Sequence, residues 1–378
     1  MLAASDLGQF DSFRPKRFAQ RFGLDPFLAV LLLVTGGFGL VILYSASGHS
    51  NQMVLRQGIH FILGLTAMGL VSTCRRDTII KLTPFLYVFA TLMLLLVLLI
   101  GVGAKGAQRW LDLPGIPQFQ PSELMKIALP AMISWWLTRN PIPPTVIHLL
   151  IAAVLIALPV GLIARQPDLG TSIIIAGSGF FVIFLAGISW RLLGLLLATG
   201  LASLPVLWSV MHDYQRTRVM TLFDPQSDPL GAGWNTIQAM TALGSGGLFG
   251  KGYSLGTQAQ LKFLPESHTD FIVAVLGEEM GFFGICMLLL LFSLILGRCI
   301  VLTLRAESHF GRLLSGSITL TFFAYVFVNL GMVSGVLPVV GVPLPLISYG
   351  GTSVVSLLVG FGLIMAMQRT NRVLSGEP

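Results

Sequence analysis

The stretch 313–368, LLSGSITLTFFAYVFVNLGMVSGVLPVVGVPLPLISYGGTSVVSLLVGFGLIMAMQ, contains no Asp, Glu, Lys or Arg. One helical crossing of a lipid bilayer needs only about 20 apolar residues, so this stretch is too long for a single span. Its middle, residues 335–345 (GVLPVVGVPLP), is rich in glycine and proline, which interrupt helices. The stretch therefore predicts two transmembrane helices joined by a non-helical segment.

The composition of the whole chain indicates the same class of protein. Of its 378 residues, 54% are hydrophobic and only 10% are charged, against about 25% charged in an average soluble protein. This excludes a water-soluble globular protein, and the dominance of apolar residues also excludes collagen-like and disordered chains. The three cysteines are too few for a disulfide framework and are interpreted as small buried hydrophobic residues.

Eight further segments are long and apolar enough to cross a bilayer. They are residues 26–55, 57–74, 82–104, 120–138, 140–164, 169–190, 192–211 and 270–304. A polar segment, 211–269, separates the seventh span from the eighth. The expected fold class is an all-α polytopic membrane protein with about ten transmembrane helices and one long loop between helices seven and eight.

Basic residues predict the orientation of these helices. With ten spans both termini lie on one side, and that side carries 14 of the 23 Lys and Arg residues but only six of the 16 acids. The positive-inside rule makes this side cytoplasmic, so residues 1–25 and 370–378 are expected in the cytoplasm, flanking one transmembrane domain over 26–369. Segment 211–269 is then extracytoplasmic. The net charge of +7 is explained by this topology and requires no nucleic-acid partner.

Four polar clusters are expected at the extracytoplasmic face, where ionisable residues near lipid are costly and are often functional. The clusters are 105–112 with Arg109, the pair Glu123 and Lys126 one helical turn apart, 165–172 with Asp168, and 263–270. Arg56, just inside the second span, could join them. Taken singly, Arg109 fits an interfacial side chain, Glu123 and Lys126 fit a structural pair, and Asp168 fits a helix cap. Together they favour an anionic substrate, which must be pre-activated because ATP is absent outside the cytoplasm.

Asp270 is the strongest single candidate, because it lies in the first turn of the eighth predicted helix, where the long loop meets the membrane surface. It could act as a general base toward a substrate hydroxyl, or His268 could be the base instead. The structural alternative is an acid favoured by the helix dipole. Glu278 and Glu279, about 12 Å further along the helix, are expected to face a cavity, an arginine or a bound cation. A proton or cation pathway is the transporter-like interpretation of this pair.

The glycine-rich run 244–252 (GSGGLFGKG) resembles a phosphate-binding loop only in part. The Walker spacing needs glycine at Ser245 and Ser or Thr at Gly252, and the run is expected on the side of the membrane that lacks nucleotides. Lys251 and Lys262 could still contact phosphate as point charges. The sequence has no His, Cys and carboxylate spacing typical of a structural zinc site.

Residues 329–353, NLGMVSGVLPVVGVPLPLISYGGTS, are similar to the signature of the SEDS family (shape, elongation, division and sporulation proteins). Further stretches resemble the family at 106–112, 120–123, 166–171, 212–216 and 268–271. The resemblance covers essentially the whole chain after the N-terminal segment. It is stronger to the elongation branch (RodA) than to the division branch (FtsW).

The resemblance implies a peptidoglycan glycosyltransferase that polymerises lipid II at the outer face of the bacterial cytoplasmic (inner) membrane during cell elongation. It implies that Asp270 is the base that deprotonates the acceptor sugar hydroxyl, with inversion at the donor carbon. Arg56, Arg109 and Lys126 would stabilise the departing undecaprenyl pyrophosphate. The implied partners are a class B penicillin-binding protein (a transpeptidase) and other membrane proteins of the elongation complex.

The resemblance and the polar clusters together define a set of expected binding residues. The set contains Arg56, Arg109, Lys126, Glu123, Asp168, Lys251, Lys262 and His268. No organic cofactor is expected, but a divalent cation (Mg²⁺ or Mn²⁺) could share the pyrophosphate charge, with Glu123, Asp168 or Asp270 as ligands. Two alternatives stay open, a lipid II flippase or transporter and a non-catalytic scaffold of the cell-wall elongation machinery.

Overall fold

The computed structural model describes residues 23–104, 107–113, 116–211, 213–224, 233–261, 263–264 and 266–368. Lys262, residues 1–22 of the predicted N-terminal segment and the predicted tail 370–378 lie outside these ranges. The helices within them are α1 (Pro26–Ala46), α2 (Asn51–Thr73), α3 (Arg76–Ile100), α4 (Pro121–Thr138), α5 (Val146–Ala164), α6 (Leu169–Leu185), α7 (Trp190–Val210), α8 (Asp213–Phe223), α9 (Trp234–Ser245), α10 (Thr257–Gln260), α11 (Ile272–Arg305), α12 (His309–Val333) and α13 (Gly351–Ala366).

Each predicted span corresponds to a helix, namely α1 to α7 and α11 to α13. By length and composition, six helices among the described residues could cross a membrane: α1, α2, α3, α5, α11 and α12. The chain is therefore a predominantly helical, multi-pass membrane protein. The two helices predicted from the charge-free stretch are α12 and α13, and segment 334–350 between them is non-helical, as the glycines and prolines predict.

The first span is shorter than predicted, because α1 ends at Ala46 and not near residue 55. Gly48 and His49 both have φ of 65°, which is incompatible with a continuing right-handed helix. The hydroxyl of Ser50 then accepts a hydrogen bond from the Met53 amide (3.4 Å) and caps the start of α2.

The segment after α3, predicted as a loop, contains a small antiparallel sheet. Its strands are β1 (Val102–Ala104), β2 (Ala107–Leu113) and β3 (Ile116–Phe119), in the order β1-β2-β3. Leu111 on β2 is buried, whereas its neighbour Asp112 is exposed, which is the alternation of a half-buried strand. The all-α prediction is wrong for this segment, because the alternating run is too short to stand out in the sequence.

The predicted long loop 211–269 is partly helical and packs on the rest of the protein. Thr236, Ala239 and Ala242 of α9 are buried. The glycine-rich run that follows pairs with α11 through its backbone: Phe282 N donates to Gly247 O (2.9 Å), and Gly252 N donates to Glu279 O (3.0 Å).

Helix α11 is broken at Gly281, which has φ of +61° and ψ of −157°. Residues 272–279 before the break are buried on every face. The 24 residues after it (282–305) are about 36 Å long, enough to cross the roughly 30 Å hydrocarbon core without the first part.

Glu278 and Glu279 lie about two turns into α11, as the sequence predicts, and just before the break. Ser267 Oγ donates to Ala46 O (3.1 Å), and the hydroxyl of the adjacent Ser45 donates to Glu279. Two points twelve residues apart therefore contact neighbouring residues at the end of α1. The segment between them runs past the end of α1, so Glu278 and Glu279 lie close to the end of that helix.

The core between α11, α12 and α13 is aromatic. Phe322 makes edge-to-face contacts with Phe292 and Phe361, at ring-centre distances of 5.7 and 5.4 Å, and all three rings are fully buried. This packing fixes α12 and α13, which carry the ends of the non-helical segment.

Candidate active site

A polar cavity of about 170 Å³ opens where β2, the N-terminal ends of α4, α6 and α13, and segment 334–350 meet. Its charged lining residues are Arg109, Glu123, Lys126 and Asp168. The structure thus brings together four residues that the sequence predicts for substrate binding. The first residues of α6 and α13 also line the cavity, and helix N-termini favour anions because their amide N–H groups lack helical partners.

Glu123 and Lys126 form a largely buried ion pair on α4. Lys126 Nζ donates to Glu123 Oε1 (2.6 Å), and Ser356 of α13 donates to the other carboxylate oxygen (2.6 Å). The ammonium group also lies 5.1 Å from the ring centre of Tyr325 on α12, within cation–π range. The pair therefore ties three helices together at the cavity wall.

Arg109 and Asp168 form a second pair across the cavity. Arg109 Nε lies 3.5 Å from Asp168 Oδ2, and Arg109 Nη2 donates to Pro167 O (2.8 Å). Asp168 caps α6 by accepting from the Thr171 amide (3.3 Å), and it also accepts from Gln120 Nε2 (3.3 Å). The structural interpretation of Asp168 as a helix cap is confirmed, and the cap lies inside the cavity.

Asp270 lies beside this cavity, in the turn that precedes α11 and not in its first turn. The residue is partly buried, and a Cβ placed on the cavity-lining Gly341 would lie 3.5 Å from Asp270 Oδ2. His268, two residues earlier, packs its ring 6.2 Å from the ring of Tyr349. Both candidate bases thus border segment 334–350.

Two other residues predicted to bind substrate, Arg56 and Lys251, do not line this cavity. Arg56 is exposed on α2, one turn before His60, and lines no described cavity. Lys251 Nζ contacts Glu278 Oε1 (2.7 Å) and Thr257 Oγ1 (3.1 Å) beside the break in α11. Lys262 lies outside the described residues. The phosphate-contacting role of these three residues stays a prediction.

The Glu278 carboxylate is fully buried and well satisfied. Besides Lys251, it accepts from the Thr257 amide (2.8 Å), the Thr257 hydroxyl (2.9 Å) and the Gln258 amide (3.1 Å). The sequence predicts a cavity, an arginine or a bound cation beside this acid, but the structure shows a lysine of the glycine-rich run as its charged partner. Glu278 therefore anchors the glycine-rich run to α11.

An apolar groove of about 70 Å³ adjoins the polar cavity. Ile127, Ile318, Phe322 and Leu357 contribute to its lining from α4, α12 and α13. Lys126, Tyr325, Pro343 and Ser353 line both compartments, so these four residues form a shared wall. A ligand with a charged head and an apolar tail would match this arrangement.

The chain matches the model of the FtsW, RodA and SpoVE cell cycle protein family over residues 25–373. The chain belongs to this family, the SEDS proteins.

This SEDS chain is similar to two known relatives and to one solved structure. It is 48% identical over 366 residues to the peptidoglycan glycosyltransferase MrdB (RodA) of Escherichia coli K12, covering 97% of this chain and 99% of MrdB. It is 34% identical over 371 residues to a probable peptidoglycan glycosyltransferase FtsW of Trichlorobacter lovleyi, covering 93% of this chain and 94% of that protein. A chain of a solved peptidoglycan synthase complex matches with TM-score 0.79 and 33% identity, covering 91% of this chain and 97% of that chain. The prediction of a SEDS protein of the RodA type is confirmed.

Several polar residues at the site of this SEDS chain were not predicted from the sequence to have a functional role. Gln120 and Tyr325 line the polar cavity, and Ser356 bonds Glu123. Asn329 and Ser348, quoted only as parts of the family signature, contact the backbone around Asp270. Their one sequence signal is a lone polar group within an apolar stretch, where burial requires a hydrogen-bond partner.

Two of the three expected ligands of a divalent cation, Glu123 and Asp168, contact other groups of the protein. The oxygens of Glu123 are bonded to Lys126 and Ser356, and those of Asp168 to Thr171, Gln120 and Arg109. No three His, Cys, Asp or Glu side chains within the described part of the chain are grouped as metal ligands. In this arrangement the residues do not fit a cation held by the protein alone.

Proposed function

We propose that this SEDS protein is a peptidoglycan glycosyltransferase that polymerises lipid II at the outer face of the bacterial cytoplasmic (inner) membrane. The observation that carries the proposal is the shared wall between the polar cavity and the apolar groove. Lipid II joins a pyrophosphate to a long polyprenyl chain, and these two parts match the two compartments. The pyrophosphate already activates C1 of the sugar as a leaving group, so the reaction needs no ATP.

In the proposed reaction Asp270 removes the proton from the 4-hydroxyl of the acceptor GlcNAc. The freed oxygen attacks C1 of the donor MurNAc, the C1–O bond to pyrophosphate breaks, and the configuration at C1 inverts. One carboxylate is sufficient for this displacement, whereas a retaining route would need a second about 5 Å away. His268 is the second candidate base, from the same turn.

Lys126 and Arg109 would stabilise the negative charge that develops on the departing pyrophosphate. Each is paired with an acid in the structure, Lys126 with Glu123 and Arg109 with Asp168, so the four charged lining residues sum to zero. The helix N-termini at the cavity are then the uncompensated positive potential. A divalent cation is a separate proposal, tested by polymerisation with Mg²⁺ or Mn²⁺ against the same preparation in EDTA.

The proposed topology has ten spans, both termini in the cytoplasm and segment 211–269 outside. It is supported by the ten helices at the predicted positions and by the bias of basic residues toward one side. Single cysteines at exposed ends of helices, labelled from each side of sealed vesicles, test it.

We also propose a class B penicillin-binding protein as partner. The support is the likeness to a chain of a peptidoglycan synthase complex that coordinates polymerisation with crosslinking. The exposed apolar faces of α2 and α3 offer area for such a partner or for lipid.

The deciding experiment measures glycan polymer formed from labelled lipid II by the full chain, with the partner added in a parallel sample. Wild type should form polymer, Asp270→Ala and Asp270→Asn should form none, and the exposed Asp112→Asn on β2 should match wild type. Polymer from both Asp270 variants would exclude this residue as base. If wild type formed no polymer even with the partner, the proposed glycosyltransferase activity would be contradicted. Lipid II translocation in vesicles that survives Asp270→Ala would favour the flippase.

A further inference from the structure

Three consecutive backbone carbonyls around Asp270 are each held by a donor from α12 or from the segment that follows it. The Tyr349 amide donates to His268 O (2.9 Å), Ser348 Oγ donates to Thr269 O (2.5 Å), and Asn329 Nδ2 donates to Asp270 O (2.9 Å). These three donors are called the carbonyl clamp below.

The clamp replaces bonds that the local backbone does not make. Residues 266–271 form turns before α11, so their carbonyls precede the regular helical ladder. The Phe271 carbonyl does accept locally, from the Ala274 amide (2.9 Å). A carbonyl without a partner in the protein interior is costly, and a donor supplied at a fixed position determines where the backbone lies.

The clamp residues are themselves held from two directions. Asn329 is fully buried, and its amide also donates to Val342 O (2.8 Å), next to the cavity-lining Gly341. The buried hydroxyl of Ser348 also accepts from the Leu344 amide (2.9 Å).

A glutamine from another helix completes the support. The side chain of Gln57, buried on α2, donates to Ser348 O (3.1 Å) and accepts from the Gly350 amide (3.2 Å). The clamp is therefore part of one hydrogen-bonded network that joins α2, α12 and segment 334–350.

We infer that Asn329 and Ser348 are positioning residues that fix the Asp270 backbone, and through it the carboxylate, against the polar cavity. The inference rests on the proposed role of Asp270 as the base. A misplacement of about 1 Å at a reacting group can lower a rate about 100-fold, so loosening this backbone should slow the chemical step. Binding of the pyrophosphate, which is assigned to Lys126 and Arg109, should change little.

The test isolates the Ser348 hydroxyl with two variants of equal shape. Ser348→Thr keeps the hydroxyl and Ser348→Val replaces it with a methyl group, so any cost of the added branch is common to both. Ser317 is the matched control, because its buried hydroxyl on α12 also bonds a carbonyl of another helix, Ser178 O (2.7 Å), away from the cavity. Ser317→Thr and Ser317→Val are measured alongside, with the apparent melting temperature of each variant in detergent.

The measured quantities are kcat and KM for polymerisation of labelled lipid II by the full chain with its partner. At position 348 we expect the Thr variant to exceed the Val variant in kcat by about 10- to 100-fold, with KM equal within about twofold. At position 317 the two variants should agree within about twofold in both constants. Asn329→Asp, which places an acceptor against two carbonyls, should lower kcat in the same way without raising KM.

Equal kcat for the two 348 variants, or a Thr-to-Val ratio no larger than at 317, would overturn the inference. A change confined to KM would also overturn it, because it would assign Ser348 to substrate binding. Asp270→Ala in the same assay separates this outcome from failure of the proposed function. If that variant keeps wild-type activity the base assignment fails, and if it is inactive while both 348 variants match wild type only the clamp fails.

Discussion

The ammonium group of Lys126 lies 2.6 Å from Oε1 of Glu123, at the wall that separates the polar cavity from the apolar groove. Both side chains are largely buried, and Ser356 satisfies the second carboxylate oxygen. Each buried charge is therefore stabilised by the other. Of the two residues, Lys126 is the one proposed to stabilise the leaving group.

Lys126→Met should separate these two contributions. Removing one member of a buried ion pair leaves the other charge uncompensated, at a cost of about 3–5 kcal/mol in the free energy of unfolding. Loss of the cation should also reduce polymerisation about 100-fold. The double variant Lys126→Met with Glu123→Gln should regain much of the melting temperature in detergent but not the activity. An active double variant would show that Lys126 does not act on the leaving group.

Arg109→Ala should lower polymerisation about tenfold, comparable to the loss of one hydrogen bond to a charged group. Arg109→Lys should recover only part of the activity. The planar guanidinium group of Arg109 contacts Pro167 O and Asp168 together, and an ammonium group lacks this forked geometry. Arg165→Ala is the control, since Arg165 is exposed nearby but does not line the cavity. Equal losses at 109 and 165 would indicate a general effect of positive charge at this face.

The positions of the helices could be predicted because lipid imposes a simple rule on composition. Ten apolar stretches were expected and ten helices lie there, and the proline-rich middle of 313–368 is non-helical. The break at Gly281 could not be predicted, because a glycine within an apolar run carries no sign of its φ. The small sheet was missed because its alternating strand is only seven residues long.

The candidate site was predicted in part, through its charges. Arg109, Glu123, Lys126 and Asp168 stand out in a chain with few ionisable residues, and the fold brings them together. The contacts of Asn329 and Ser348 could not be read from the sequence, because their partners are 59 and 79 positions away. For Lys251 the sequence suggested a contact with phosphate. The structure shows an ion pair with Glu278, which depends on how the glycine-rich run packs against α11.

Lys251→Met should affect stability and not catalysis. Glu278 is fully buried, so loss of its cation should cost on the order of 3 kcal/mol, visible as a lower melting temperature. Polymerisation per folded molecule should stay within about twofold of wild type, since the pair lies outside the cavity lining. Adding Glu278→Gln should restore part of the stability. A loss of activity at unchanged melting temperature would instead support the predicted contact of Lys251 with phosphate.

Gly281→Ala should destabilise the protein strongly. A Cβ at this position would lie 2.4 Å from the Gly250 amide nitrogen, and the positive φ alone costs an L-residue about 1–2 kcal/mol. Gly297→Ala in the same helix is the control: its Cβ would meet nothing within 4 Å, and the exchange should be neutral or stabilise by up to about 1 kcal/mol. Equal melting temperatures for the two variants would contradict the packing of the glycine-rich run against the break.

The wall shared by Lys126, Tyr325, Pro343 and Ser353 has a consequence for which donors the protein accepts. A water-soluble sugar nucleotide could occupy only the charged compartment, and a neutral lipid only the apolar one. An amphiphile spans both, and its two halves bind as one molecule without a second loss of translational freedom. The protein would then select its donors by the linkage of a charged head to an apolar tail more than by the sugar. Donors that differ in the stem peptide would be used alike, whereas a donor with a shortened polyprenyl tail would bind weakly.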